Sequence, residues 1–527
     1  MKILHNARIQ TLDPQLPTAS VIVIDRERVA AVGGSELLDE FGTRASREDM
    51  DGHVILPGLT DAHLHLEKYA LGLQKVNVET RTKAGCLRRV AEHAAHTADD
   101  KWILGHGWQQ NDWDPAGAFP GAADLDALVP ERPVYLTAKS LHAAWVNSAA
   151  LRLAGIGVGT PDPLNGKILR DESGRPNGIL LEAAMGLVEK MIQPDLADGM
   201  AAMEAAQPVL WQMGLTGVHD FDGRTSFMAL QALDASGKLK LRTLKSIPLE
   251  LLPQARELGL RSGFGNHRLR IGSVKVFMDG ALGPRTAAMF QPYLNEPENR
   301  GILNMDGEEL SEYGRQAAQV GLSMAVHAIG DRAVHEVLDG FEQLRAYEHE
   351  RHLPALRHRI EHVQVIHPDD AARLGKMGII ASMQPIHASS DMAAADRYWG
   401  ERARLSYAWQ TQLKHGARLA FGSDAPVESP NPFWGLHTAV TRRRADGSPG
   451  EQGWYPQERL SMQAALEGYT LGAAYAAGME DHLGRLAPGY YADLIVVEKD
   501  PFTCPPDELL TLRSSATMLA GEWLWQS

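Results

Sequence analysis

Between residues 56 and 424, apolar runs rich in β-branched residues alternate with helical stretches, the sequence sign of a parallel sheet built from βα units. The runs lie at 56–66, Thr216–Phe221, Leu241–Ile247, Leu269–Asp279, Leu322–Ile329, Arg359–Gln364, Ile379–Gln384 and Leu419–Asp424. That count is the constraint, because eight parallel βα units close into a barrel. Barrels of this kind carry their active sites at the C-terminal ends of the strands. His63, His65, Lys275, His327, His362 and Asp424 fall at those ends.

Both termini read as short β-strands. Ile3–Thr11, Ser20–Ile24 and Val29–Val32 are divided by turn residues, and Gly489–Val497 and Ser515–Trp523 match them at the far end. Neither set is large enough to bury a core alone. One small β-sandwich made from 1–55 and 476–527, flanking a barrel over 56–475, is the expected arrangement. The interval from His65 to His219 far exceeds the roughly 30 residues of a βαβ unit. An inserted lobe at about 70–210 is therefore expected after the first barrel strand, covering the barrel mouth. Its pieces include strands at Trp102–His106 and Val134–Ala138 and helices at Ala84–Thr97, Ala149–Ala154 and Met200–Met213.

Composition narrows the function classes. A chain of 527 residues, 44% hydrophobic, is long enough for one large domain with accessories. A net charge of -14 argues against nucleic acid and anionic membrane as partners. Cys86 and Cys504 are the only cysteines, too few for a disulfide framework or a thiolate metal site. The first residues lack a basic-then-apolar leader pattern, and no apolar run is long enough to span a bilayer. A soluble, cytoplasmic protein acting on a small molecule, alone or as a homo-oligomer, is the expectation.

His63 and His65 are spaced i, i+2 on a strand, so both imidazoles point the same way and suit one divalent ion. With His327, His362 and Asp424 they offer nitrogen and oxygen donors of the kind zinc prefers, and manganese or iron also accepts them. Lys275 is the odd member, because an ammonium has no lone pair to give. Either it loses its proton where its surroundings disfavour charge, or it reacts with carbon dioxide to give an anionic carbamate. A charged Lys275 facing the substrate beside a single metal is the third option.

His-x-His on the first strand, Lys on the fourth, His on the fifth and sixth and Asp on the eighth resemble the pattern of the amidohydrolase superfamily. Three strings sharpen the resemblance: Val274-Lys-Val-Phe-Met-Asp-Gly-Ala-Leu-Gly-Pro-Arg-Thr-Ala287, Val326-His-Ala-Ile-Gly-Asp-Arg-Ala333 and Gly422-Ser-Asp-Ala-Pro-Val427. With Gly105-His-Gly-Trp108 and Leu141-His-Ala-Ala-Trp-Val-Asn-Ser-Ala-Ala-Leu151 they are similar to the YtcJ-like branch, which includes N-substituted formamide deformylase. The resemblance implies two metals, one on His63 and His65 and one on His327 and His362, with Asp424 as a further ligand. Ser273-Val-Lys-Val-Phe-Met278 is similar to the carbamylated-lysine strand of cyclic amidases, so an N6-carboxylated Lys275 bridging the ions is implied too. The implied reaction is hydrolysis of a non-peptide C–N amide bond by metal-activated hydroxide, with Asp424 as proton shuttle. Deamination, cyclic-amide opening or ester cleavage are the alternatives within the fold, and a non-catalytic metal-binding or regulatory protein is the alternative outside it.

Pocket candidates come from position. His106, Trp108, Trp113, His142 and Trp145 lie in the insert, where aromatic lining would suit an apolar N-substituent. Arg285 follows Lys275, and His387 and Asp391 follow the seventh strand; for each of these candidates ordinary packing or a surface salt bridge is the alternative to substrate contact.

Overall fold

Eight strands lie parallel in one sheet of the computed structural model, which describes all residues except 99–100, 111–112, 114–117, 139–142, 165, 193–194 and 284. In chain order they are β1 (Leu59–Leu64), β2 (Leu215–Asp220), β3 (Arg242–Pro248), β4 (Leu269–Phe277), β5 (Met324–Ala328), β6 (Arg359–His362), β7 (Ile380–Met383) and β8 (Arg418–Phe421). Each pairs with the next in sequence. The ends meet where the N–H of Asp424 donates to the His63 carbonyl (2.6 Å) and that of His65 donates to the Ala425 carbonyl (2.8 Å). The expected (β/α)8 barrel is present, and its seam lies beside three of the candidate site residues. Strands of a parallel sheet are covered on both faces and read as continuous apolar runs. In β5, for example, Met324, Ala325 and Val326 are all fully buried.

The first run needs correction. What reads as one strand over 56–66 is two: Val54–Pro57 pairs with Leu494–Val497, while Leu59–Leu64 belongs to the barrel. Pro57 has no N–H to continue a ladder, and Gly58 sits where a Cβ would meet the Thr216 side chain at 2.4–2.9 Å. Ile3–Thr11 divides likewise into Lys2–His5 and Arg8–Gln10, in different sheets, at Asn6 (φ 55°). Ser514–Leu519 and Glu522–Gln526 form a hairpin across Ala520 and Gly521, both at positive φ. The sequence shows Ser515–Trp523 as a single run because a two-residue turn leaves little polar punctuation.

The terminal strands form two sheets, one of six strands that mixes both ends of the chain and one of four from the N-terminus alone. Leu4, Ile22 and Ile24 from the smaller sheet share a buried cluster with Ile55, Leu494 and Met518 from the larger. Each terminus thus completes the other's core.

Residues Ala70–Ala202 form a second compact unit with its own six-stranded mixed sheet. Thr82 caps its helix Lys83–His96, accepting from the N–H of Gly85 at 3.0 Å. Trp108, Trp113 and Trp145, read from the sequence as pocket lining, pack on one another with ring centroids 6.2–6.3 Å apart. All three are buried, and each indole N–H donates to a backbone carbonyl, of Leu136, Thr80 and Gly121 respectively. They are the core of this unit. Trp145→Ala should accordingly cost about 3–5 kcal/mol of its stability. Thermal unfolding and limited proteolysis of 70–202 would show it; unchanged stability with a raised KM would restore the lining role.

Among the described residues no helix is long and apolar enough to cross a membrane.

Candidate metal centre

The barrel's C-terminal rim gathers the candidate residues. Nε2 of His63 and Nε2 of His65 each lie 3.5 Å from Oδ1 of Asp424. Ligand atoms of His63, His362 and Asp424 all lie within 4.8 Å of one another. The His362 ring is 5.0 Å from that of His63 and 4.6 Å from that of His327, centroid to centroid. Lys275 enters between the rings of Phe221 and Phe277, its Nζ 4.7 Å from each centroid. Those two rings lie in turn against His63 (4.2 Å) and His327 (5.3 Å).

Which imidazole nitrogen faces inward is set by what the other one bonds. His63 turns Nδ1 to Glu361 Oε2 (2.6 Å), His65 to Asp222 Oδ1 (3.0 Å) and His362 to Gln384 Oε1 (2.8 Å). Nδ1 is then the protonated nitrogen in all three, and Nε2 keeps its lone pair. His327 is reversed. Its Nε2 faces the Gly280 carbonyl at 2.9 Å and Asp279 Oδ1 at 3.4 Å, which leaves Nδ1 as the donor to the centre.

Sequence reasoning missed these outer carboxylates. Arg359 and Glu361 alternate on a strand buried on both faces, and a charged pair there is the signal that could have found Glu361. Arg359 bonds Glu361 (3.0 Å to Oε2) and the Ala62 carbonyl, while its Nη1 faces Nδ1 of His219 at 2.9 Å. A buried chain therefore runs His219, Arg359, Glu361, His63. Asp279, after β4, accepts from the N–H groups of Ala288, Ile329 and Gly330 at 2.8–3.0 Å and so ties three loop segments together behind His327. Asp61 does the same at the seam, holding the N–H groups of His63 (3.0 Å) and Ser423 (3.1 Å).

Burial sets the charge states. It lowers His63 to about 4 and His327 to about 3, helped by the charge on Lys275, and holds His362 well below the usual value. These three imidazoles are neutral. His65 differs: burial alone would lower it, but its bonds to Asp222 and Asp424 outweigh that and raise it above the usual value. Burial alone would raise Asp424, but His63 and the hydrogen-bonded His65 outweigh it and keep the carboxylate ionised. Glu361 is ionised in the same way, by Arg359 and then His63. Lys275 falls to about 8, chiefly through burial. Among the described residues no acceptor lies within hydrogen-bond or ion-pair distance of its Nζ. His362 (φ 76°) and Asp424 (φ 59°) both adopt a left-handed backbone, the kind of local strain that collects at functional sites.

The remaining pocket candidates scatter. Arg285 pairs with Glu296. His387 is buried beside the centre, its ring nearly parallel to that of His362 at 6.1 Å and its Nε2 3.2 Å from the Ser423 carbonyl. Asp391 accepts from Tyr407 Oη at 2.6 Å. In the second unit His106 is exposed, with Nδ1 2.9 Å from Thr137 Oγ1. His142 lies outside the described residues.

Outer-shell partners of a ligating histidine typically contribute 10–100-fold in metal affinity or activity. Glu361→Gln should weaken metal binding at His63 by about that factor. Competition with a chelator measures it, and unchanged affinity would make Glu361 a partner of Arg359 only.

The family model described as Amidohydrolase family matches residues 47–524. The chain is 35% identical to Protein LONG AFTER FAR-RED 3 of Arabidopsis thaliana over 94% of its own length and 86% of that protein's. It is 32% identical to YtcJ of Bacillus subtilis (99% of each) and 27% identical to N-substituted formamide deformylase of Arthrobacter pascens (98% and 96%). The crystal structure of an uncharacterized metal-dependent hydrolase from Pyrococcus furiosus superposes with TM-score 0.79 at 31% identity, covering 95% of this chain and all of that one. A histidine-rich barrel rim, a family model spanning nearly the whole chain and relatives matched end to end agree: this chain belongs to the amidohydrolase family.

Proposed function

We propose that this protein hydrolyses a C–N amide bond, other than a peptide bond, in a small N-substituted formamide or N-acyl compound. The observation that carries the reading is the convergence of His63 Nε2 and His65 Nε2 on an ionised Asp424. Imidazole nitrogens and a carboxylate are donors that zinc accepts, with manganese or iron as alternatives. His63 and His65 would hold one ion, His327 and His362 a second, and Asp424 would complete the set. The likeness to N-substituted formamide deformylase supports the bond type.

Lys275 is read as N6-carboxylated. Its buried nitrogen has no carboxylate within hydrogen-bond distance among the described residues, and burial, which favours the free amine, outweighs the more distant charges of Glu361 and Asp424. The amine lone pair attacks the carbon of carbon dioxide, one N–C bond forms, and one proton leaves to solvent. The product carries one negative charge shared by two oxygens, which would match bound cations better than an ammonium does.

When bound, a divalent ion held by these residues would supply acidified water, with a pKa near 7, and a Lewis acid for the carbonyl. Asp424 accepts the proton released as the nucleophile forms and delivers it to the leaving nitrogen. An amide nitrogen leaves poorly unless protonated, so both halves of the reaction use the same carboxylate. Phe221 and Phe277 keep water from the Lys275 side chain.

A panel of N-substituted formamides, N-acyl amino acids, cyclic amides and simple esters, assayed with zinc or manganese, tests the reading. Release of formate or acid together with free amine is expected. Turnover of cyclic amides or esters alone would move the activity within the family, and turnover of none would favour a regulatory protein.

A further inference from the structure

A recess opens at the other end of the barrel, lined by Thr60 and Leu244 of the strands and by Arg242, His267, Arg268 and Arg270. It is small, with a cavity volume of about 30 Å³. His219 also lines it and is linked through Arg359 and Glu361 to His63, but the recess shares no lining residue with the candidate metal centre.

Its charge is unbalanced. Arg242 is matched already, bonding Asp493 through two nitrogens, one at 2.8 Å, and stacking on Tyr491 with the guanidinium carbon 3.9 Å from the ring centroid. Asp493 is further occupied by the N–H of Ala520 at 2.8 Å. Of the other nearby carboxylates, Asp234 accepts from Asn266 at 2.7 Å, and Glu27 faces Arg242 and His267. Arg268 and Arg270 remain. Nη1 of Arg268 and Nε of Arg270 are shielded from solvent and have no hydrogen-bond partner. A shielded guanidinium N–H without an acceptor is costly, and both of these arginines line the one recess. Arginine's fixed fork suits planar or tetrahedral oxyanions.

We propose that this recess binds a small oxyanion, a phosphate or a short carboxylate, between Arg268 and Arg270. The anion would supply the acceptors both arginines lack and offset the positive charge at this end of the barrel. Recognition needs no metal and no residue of the catalytic rim.

Calorimetric titration of the metal-loaded full chain with inorganic phosphate, and separately with acetate, at constant ionic strength tests this. Saturable one-site binding of one of them is expected, weakened about 10- to 100-fold in Arg268→Gln and in Arg270→Gln. The phosphate and acetate arms decide which oxyanion is preferred. Binding that is unchanged in both variants would place the anion at the metal centre and overturn the proposal, as would the absence of saturable binding to the unsubstituted protein. Should either variant fail to fold, crystals of the unsubstituted protein soaked in selenate give the answer. An anomalous peak between the two guanidinium groups is expected, and none there would also overturn it.

Discussion

Asp424→Asn is expected to lower kcat by about 10²–10⁴-fold while the protein stays folded and keeps metal. The amide is close in size to the carboxylate and retains an oxygen that can face His63 Nε2 and His65 Nε2, which sit 3.5 Å from Oδ1. The backbone bond from its N–H to the His63 carbonyl does not involve the side chain and survives. What is lost is a group able to accept and return a proton. Because that shuttle acts in the transition state, kcat should fall with little change in KM. His63→Ala should behave differently and lose metal and activity together. Near-normal turnover of metal-loaded Asp424→Asn would mean that another group is the base. His387 is then the first to test, although its Nε2 is engaged with the Ser423 carbonyl.

Lys275→Ala is expected to reduce activity by more than about 100-fold, since losing a ligand exceeds the 10–100-fold cost of losing an outer-shell partner. The substitution removes the bridging oxygens and opens a gap between the Phe221 and Phe277 rings. A short carboxylic acid can enter that gap and present two oxygens, so added acetate or propionate should recover part of both metal content and rate. On the proposed reading, carbon dioxide supplies the Lys275 carboxylate in the unsubstituted protein. Stripping and reloading metal in buffers free of carbon dioxide should therefore slow reactivation, with recovery on adding bicarbonate. Activity of Lys275→Ala matching that of the unsubstituted protein would remove the bridge.

Much of the barrel was legible because each parallel strand announces itself as an apolar run and the chemistry clusters at one end. Where the reading failed, local signals were weak. Pro57-Gly58 ends one strand and begins another in a different sheet, yet the apolar run crosses it without a polar residue. Ala520-Gly521 turns a hairpin with almost no turn composition. The tryptophans of the second unit look alike in sequence whether they line a pocket or fill a core. Only their mutual packing and the backbone partners of their indole N–H groups distinguish the two.

At the site, His63, His65, Lys275, His327, His362 and Asp424 were legible as a group because all fall at strand ends, and the barrel brings that rim together. The residues that orient them were not. Glu361 acts on His63 from a strand that is not its neighbour, 298 residues away, whereas Asp222, Gln384 and Asp279 each act on a histidine at the end of the adjoining strand, with Gln384 only 22 residues from His362. One distinction was wholly hidden: His327 presents the opposite ring nitrogen from the other three histidines. The Gly280 carbonyl dictates it, and nothing in the histidine's own neighbourhood in sequence reveals a backbone acceptor.

The most direct test of the account is a metal titration of activity. Protein stripped by chelation should show no turnover of a responsive amide. Added zinc should restore the rate to a plateau at two equivalents per chain, with the metal content of the same samples rising in parallel. Unchanged turnover in protein free of metal would contradict the central claim, and a plateau reached at one equivalent would contradict the paired site.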